Sequence, residues 1–173
     1  AGTTRQADQP TIRELTIEGS NRSFDQVQCL GLSVTEKDIE ALCASLTKTA
    51  KNNAEDPAKV KTVTEKQLLQ WGVLAEQDGQ LVPTNAYAIL TGNTAVRSVV
   101  QCGVFKGTTK AVFVDRREFT GTPQELIEES YQYVLRNIHM GARFKGVYRQ
   151  DVYEIPPDAI RELIVNAIVH RSY

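Results

Sequence analysis

An α+β chain is what this sequence predicts, and three observations predict it. Two helix starts carry matched caps: Thr35 with Asp38 three residues on, and Thr122 with Pro123 at the first turn and Glu125 three residues on. Two β-rich stretches, residues 98–105 and 111–119, are joined by Lys106-Gly107-Thr108-Thr109-Lys110, which is the pattern of an antiparallel hairpin. A shorter hairpin is signalled by Asp78-Gly79 between extended pieces at 73–76 and 80–82. The expected architecture is a mixed fragment with a winged-helix-like segment, an antiparallel β-hairpin and packed helices.

The elements follow in order. Residues 8–19 predict a short helix that ends at Gly19, with Ile12, Leu15 and Ile17 as its apolar positions. Asn21 to Asp25 is turn chemistry, and residues 30–34 lead to a helix over 36–52 presenting Ile39, Leu42, Cys43 and Leu46 at helical spacing. Residues 51–61 are a polar loop. Thr64 caps a helix to Trp71 with Leu68 and Leu69 inward, and Gly72 stops it. A small helix over 85–90 follows the Asp78-Gly79 hairpin, and helix, hairpin, helix is the order that suggests a winged-helix module, as DNA contact or as a compact adaptor. The helix from Thr122 to about Asn137 buries Leu126, Ile127, Tyr131, Val134 and Ile138 and leaves Tyr133 and Arg136 partly wet. Residues 144–153 read as strand with a break, and Pro156-Pro157 opens a last helix.

Composition narrows the class without naming a partner. With 173 residues, a formal charge of −1, 41% hydrophobic and 24% charged residues, the chain can bury one sizeable core or two small ones. No apolar run is long enough to span a bilayer and the first residues lack a signal-peptide core, so a cytoplasmic protein with no membrane partner is expected. Cys29, Cys43 and Cys102 are odd in number, with no CxxC pair or nearby histidine, and read as buried thiols rather than disulfides or a zinc site. The Asn21-Arg22-Ser23 triplet would accept a glycan only in a secreted protein. Gly103, Gly107 and Lys110 do not have the spacing of a phosphate loop.

Charge is uneven along the chain. Residues 1–80 carry 12 acidic and 9 basic groups, whereas residues 97–150 carry 5 acidic and 9 basic. Lys106, Lys110, Arg116, Arg117, Arg143, Lys145 and Arg149 are the nucleic-acid candidates, provided they share a face. Without aromatic interleaving or a basic helix in the sequence, a solvated surface is the plainer alternative.

The last helix carries the chemistry. At about 100° per residue from Glu162, Asn166 falls near ~40°, His170 near ~80° and Tyr173 near ~20°, while Ile160, Leu163, Ile164 and Ala167 cluster on the far side to pack. Val165 and Val169 flank the polar stripe, so Glu162 and Asn166 are expected in an apolar setting. A carboxylate can orient or deprotonate an attacking water, and an amide oxygen one helical turn later can ligate the Mg²⁺ that bridges phosphates. The pair alone recurs by chance in many helices.

The wider string is more specific. Pro156, Ile160-Arg161-Glu162, Ile164-Val165-Asn166-Ala167-Ile168-Val169-His170-Arg171 and Tyr173 together resemble the N-box of the gyrase, histidine-kinase and MutL (GHKL) ATPase superfamily. The version resembled is that of bacterial transcriptional regulators that pair this ATPase domain with a Schlafen AlbA-type domain. Residues 2–7 resemble the tail of the AlbA-type domain, Ser23-Phe24-Asp25 its downstream linker, and residues 81–90, with Pro83-Thr84-Asn85-Ala86, another family signature. Gly121 and the helix after it also fit. The resemblance implies that Glu162 is the general base and Asn166 the Mg²⁺ ligand, with His170 at a position the family often fills with histidine, for cofactor binding or for a structural hydrogen bond. It also implies ATP and Mg²⁺ as cofactors of a full-length parent.

No Asp-x-Gly-x-Gly adenine loop occurs in the 173 residues, so the chain by itself is expected to bind no cofactor and hydrolyse no ATP. The expected organisation is the end of an AlbA-type domain over 1–20, a winged-helix-like region over 21–95, an α/β region over 96–155 and the N-box helix over 156–173 of an internal fragment. DNA and a second copy of the chain are the partners left open. The rival functions are a nucleotide-independent DNA-binding module, acting through residues 64–90 and the basic residues of 97–150, and a scaffold or dimerisation segment.

Overall fold

Thr35 starts the first long helix by reciprocal capping: its hydroxyl accepts the Asp38 N–H at 3.3 Å, and its own N–H donates to the Asp38 carboxylate at 2.9 Å. The computed structural model describes residues 8–19, 23–108, 111–145 and 148–171. They form an α+β chain that divides into two compact units, Ala1–Thr91 and Gly92–Tyr173. No helix among the described residues is long and apolar enough to cross a membrane.

In the first unit, α1 spans Gln9–Gly19, α2 Glu36–Asn53, α3 Glu65–Gln70, β1 Leu74–Gln77, β2 Gln80–Pro83 and α4 Asn85–Thr91. Ile12 and Leu15 of α1 are exposed, so these two of the expected apolar positions do not pack, while the Ile17 side chain lies outside the described residues. An eleven-residue helix offers few such positions, and these two are left in water. α2 runs to Asn53, one residue past the expected end at 52, and the loop read over 51–61 is correspondingly shorter. The core gathers Ile39 and Leu42 from α2, Leu68 from α3, Leu74 from β1, Tyr87 from α4, and Val63 and Val73 from the segments between. Leu68 and Leu74 are essentially sealed, and burying each stabilises by about 1.5–3 kcal/mol. Thr47 ties α2 to the segment before α3, because its hydroxyl accepts the Val63 N–H at 2.9 Å while donating to the Cys43 carbonyl.

The β1–β2 hairpin pairs antiparallel from Leu74 opposite Pro83 to Gln77 opposite Gln80. Asp78 and Gly79 both hold positive φ, 52° and 75°, which is what the tight two-residue turn needs.

In the second unit, β3 spans Val99–Phe105, β4 Phe113–Thr120, α5 Pro123–Asn137, β5 Met140–Lys145, β6 Tyr148–Tyr153 and α6 Pro157–Val169. β3 and β4 pair antiparallel from Val99 opposite Thr120, with Gly103 opposite Arg116 and Phe105 opposite Phe113, and the register slips between Val104 and Phe105. β5 and β6 pair antiparallel, so the strand with a break is two paired strands, and β5 begins ahead of the stretch that suggests it. α5 is capped by Thr122 as expected, the Thr122 N–H donating to the Glu125 carboxylate at 2.9 Å. It lies between the β3–β4 hairpin and α6.

The buried face of α5 is rotated from the expected one. Leu126, Ser130 and Tyr133 are the buried residues, four and three positions apart, while Ile127, Tyr131, Val134 and Ile138 are half-buried. Tyr133, expected to be partly wet, is 4% exposed, because its ring packs edge-on against Phe119 of β4 with centroids 6.1 Å apart.

Candidate functional site

α6 is positioned by packing on one arc. Ile160 and Ile168 are buried, with Pro157, Ile164, Val165 and Arg171 half-buried, so the packed side lies opposite Glu162. Two expectations are corrected here. Leu163 and Ala167 do not pack: Leu163 is 68% exposed, and Ile168 takes the buried place instead. Nor do Glu162 and Asn166 sit in an apolar enclosure, since both are exposed and the flanking Val169 is itself 64% exposed. The reason is geometric. α5 packs against α6, whose buried residues are Ile160 and Ile168, and Leu163 lies about 100° from the middle of their arc, beyond the reach of a single neighbouring helix.

Glu162, Asn166 and His170 therefore share one exposed stripe, successive residues a helical turn apart, with Leu163 on one border and Val169 on the other. Among the described residues none of the three side chains has a hydrogen-bond or ion-pair partner. Their neighbours on the helix are held firmly. The Arg161 guanidinium donates to the Glu128 carboxylate of α5 at 3.3 Å and lies 5.6 Å from the Tyr131 ring centre. Glu128 is pulled below the ordinary carboxylate range first by the Gln132 amide and then by Arg161. At the other end Arg171 donates to the Val99 carbonyl at 2.7 Å. The helix turn that carries Glu162 and Asn166 is thus clamped on both sides.

Among the described residues no group of three or more His, Cys, Asp and Glu is assembled that could hold a metal ion. A magnesium ion that arrives with phosphates needs less from the protein, one or two oxygen ligands, and the unpartnered Asn166 amide oxygen is of that kind.

The basic candidates separate. Arg116 lies opposite Gly103 on the exposed face of the β3–β4 hairpin. Arg117 falls opposite Cys102 on the face turned to α5, 3.8 Å from the Asp115 carboxylate. Lys106 is exposed at the hairpin end, its N–H donating to the Val112 carbonyl at 2.9 Å. Lys110 lies outside the described residues. Arg143 and Lys145 belong to β5 and pair with Gln150 and Tyr148, and Arg149 of β6 pairs with Phe144. Six of the seven candidates are thus divided between two hairpins. In the winged-helix-like segment the exposed charges around α3 and the hairpin are Glu65, Lys66, Glu76 and Asp78, a balance that does not attract phosphate.

Pro83-Thr84-Asn85 has a structural job. The fully buried Thr84 hydroxyl sits 2.7 Å from the Gly72 carbonyl oxygen and 2.9 Å from that of Val73. The Asn85 amide donates to the Phe24 carbonyl at 2.9 Å, and its backbone N–H to the Val27 carbonyl at 2.8 Å. The triplet therefore fastens residues 24–28, the end of α3 and the hairpin to one point. The Ser23-Phe24-Asp25 linker is the other half of that fastening, while residues 2–7, Asn21 and Arg22 lie outside the described residues.

The three thiols are free. Burial pushes all three up from the ordinary thiol value, so none is an activated nucleophile. A shallow depression lined by Thr47, Lys48, Lys51, Asn52 and Thr62 lies near the C-terminal end of α2, where lysines are favoured by the helix dipole without any ligand. The sequence gives no sign of the Phe105–Phe113 ring pair, whose centroids are 4.4 Å apart, because the two residues meet only through strand pairing. Compared with known proteins, the chain matches no family model, no curated protein and no solved structure.

Proposed function

We propose that this chain is part of an ATP-dependent, DNA-associated transcriptional regulator, and that α6 contributes Glu162 and Asn166 to its nucleotide site. The observation that carries the reading is the single exposed stripe of α6 on which an unpartnered carboxylate and an unpartnered amide stand one turn apart. Asn166 would hold the magnesium ion by its amide oxygen, and Glu162, one turn towards the N-terminus, would orient and deprotonate the water. Bound Mg²⁺ would neutralise charge developing on the phosphates. His170 continues the stripe and is suited to donate a hydrogen bond at its end. The adenine- and phosphate-gripping loops of such a site would come from residues that are not in this sequence, and the 173-residue chain by itself is expected to show no turnover.

The test is Mg-ATP binding and hydrolysis by a longer protein that contains this chain. Asn166→Ala is expected to lose magnesium-dependent binding. Glu162→Ala is expected to keep binding and lose hydrolysis by at least about 100-fold, the scale of a general base. Equal binding by Asn166→Ala would remove the metal role, and a wild-type protein that binds no nucleotide would remove the whole reading.

A further inference from the structure

The two faces of the β3–β4 hairpin are unlike. Phe119 and Cys102 belong to the face turned to α5, as the contact of Phe119 with Tyr133 and that of the Cys102 thiol with Ser130 fix. The opposite face carries Gln101, Gly103 and Phe105 from β3 and Glu118, Arg116 and Phe113 from β4. The register slip at Val104 and Phe105 is what brings Phe113 onto this face beside Arg116.

Gly103 leaves the space that the rings use. A Cβ at that position would meet the Phe113 ring at 3.1 Å and the Phe105 ring at 3.5 Å, so both rings reach over a strand position with no side chain. The rings are tilted by 42° to each other, and Phe113 remains 53% exposed. Next to them stands one cation, Arg116, which has no acidic partner among the described residues. The acid of the same face is farther along the sheet and already engaged: Glu118 lies 3.5 Å from the Arg97 guanidinium and accepts from the Gln101 amide at 2.9 Å. Asp115 is on the other face with Arg117.

We infer that this face is a platform for single-stranded nucleic acid, with the Phe113 ring stacking under a base and Arg116 meeting the adjoining phosphate. A half-exposed ring on a sheet surface is one that an unpaired base can stack on, whereas the bases of a duplex already cover one another. A guanidinium beside the ring supplies the backbone contact and can stack as well. Charge complementarity selects the occupant: the aromatic end of the face is cationic and the neutralised acid is at the other end. The inference is independent of the nucleotide site on α6, since none of its residues belongs to that helix.

The experiment is fluorescence anisotropy of a labelled oligothymidylate of about 12 nucleotides with the whole chain at low salt, against a duplex of equal length. Wild type is expected to bind the single strand in preference to the duplex. Phe113→Ala is expected to weaken binding by between about 5-fold and 100-fold, the loss of one base–aromatic stack, and Phe113→Trp to retain it. Should the alanine variant unfold by circular dichroism, Phe113→Leu, which keeps apolar bulk and drops the ring, carries the same expectation. Arg116→Gln should lower the slope of log affinity against log salt by about 0.7. No binding by wild type, duplex bound as tightly as single strand, or equal affinity when the ring is removed would overturn the inference. So would light scattering that shows a dimer lost on Phe113→Ala, since a second copy would then occupy the face.

Discussion

Replacing Thr84 by valine removes one oxygen and almost no volume, which makes it a sharp probe of how the first unit is held. Thr84 is fully buried, and its hydroxyl is the donor that reaches the Gly72 carbonyl, 2.7 Å away, where the chain turns from α3 into the hairpin. The Val73 carbonyl also receives the Thr84 backbone N–H at 3.2 Å and keeps a partner after the substitution, but the Gly72 carbonyl has no other donor from this residue. Losing the bond and stranding a part-buried acceptor should cost about 1–3 kcal/mol. With a urea slope of about 1 kcal/mol/M, suitable for a unit of this size, the unfolding midpoint should fall by about 1–3 M at unchanged slope. The sole tryptophan, Trp71, adjoins Gly72 and is half-exposed, so its fluorescence reports on this unit directly. Thr84→Ser keeps the hydroxyl and should recover most of the loss. A Thr84→Val midpoint equal to wild type would show that the hydroxyl bond contributes nothing, and the fastening role given to Pro83-Thr84-Asn85 would fall with it.

Thr122→Ala removes the cap of α5 and should destabilise the second unit by about 1 kcal/mol, read as an earlier loss of helical circular dichroism. The same cap sets a pH dependence. The Thr122 backbone N–H first, and then its hydroxyl, hold the Glu125 carboxyl below its ordinary value, so the folded state prefers the ionised form. Its contribution is complete above the ordinary carboxylate range and is lost as the pH falls through it to the lowered folded value. Glu125→Gln should therefore flatten the acid limb of the melting curve, and an acid limb identical to wild type would deny the cap its electrostatic share. Ser130 is 2% exposed and, among the described residues, its hydroxyl has beside it only the weakly bonding Cys102 thiol, so Ser130→Ala should be neutral or stabilising by up to about 1 kcal/mol. A loss of more than about 1 kcal/mol in its thermal melt would mean that the hydroxyl is satisfied by bound solvent.

What could be read from the chain and what could not divides along physical lines. Local chemistry was legible: Thr35 with Asp38, Thr122 with Glu125, and Asp78-Gly79 each act within a few residues, and each cap or turn is where the letters put it. Rotation about a helix axis was less so. On α5 the choice between Tyr131 and Tyr133 as the inward ring depends on where Phe119 stands, and strand position is not encoded in the helix. On α6 the apolar residues surround more than half the axis, so periodicity leaves Leu163 and Ile168 as equal contenders, and only the placement of α5 decides for Ile168. The Phe105–Phe113 pair was hidden for a third reason: a register slip brought together residues that regular alternation would have separated. Of the candidate site, the four-residue spacing of Glu162, Asn166 and His170 was legible, and its exposure was not.

That exposure bears on how the nucleotide reading is to be understood. A polar stripe on a surface helix is ordinarily a solvated face, and one exposed leucine is ordinarily unremarked. On α6 the two occur together, with Leu163 and Val169 leaving about two thirds of their surface in water on either side of Glu162 and Asn166. Covering both residues would recover on the order of 1–2 kcal/mol each, and anything that covers them encloses the stripe between them. An enclosed carboxylate and amide with no protein partner would be costly unless they met a cation and its phosphates, and in the drier setting that meeting is worth more than it is in water. On the proposed function the aliphatic borders and the polar stripe are therefore one device. The borders would draw a cover over the helix, and the stripe would make that cover favourable only with Mg-ATP beneath it.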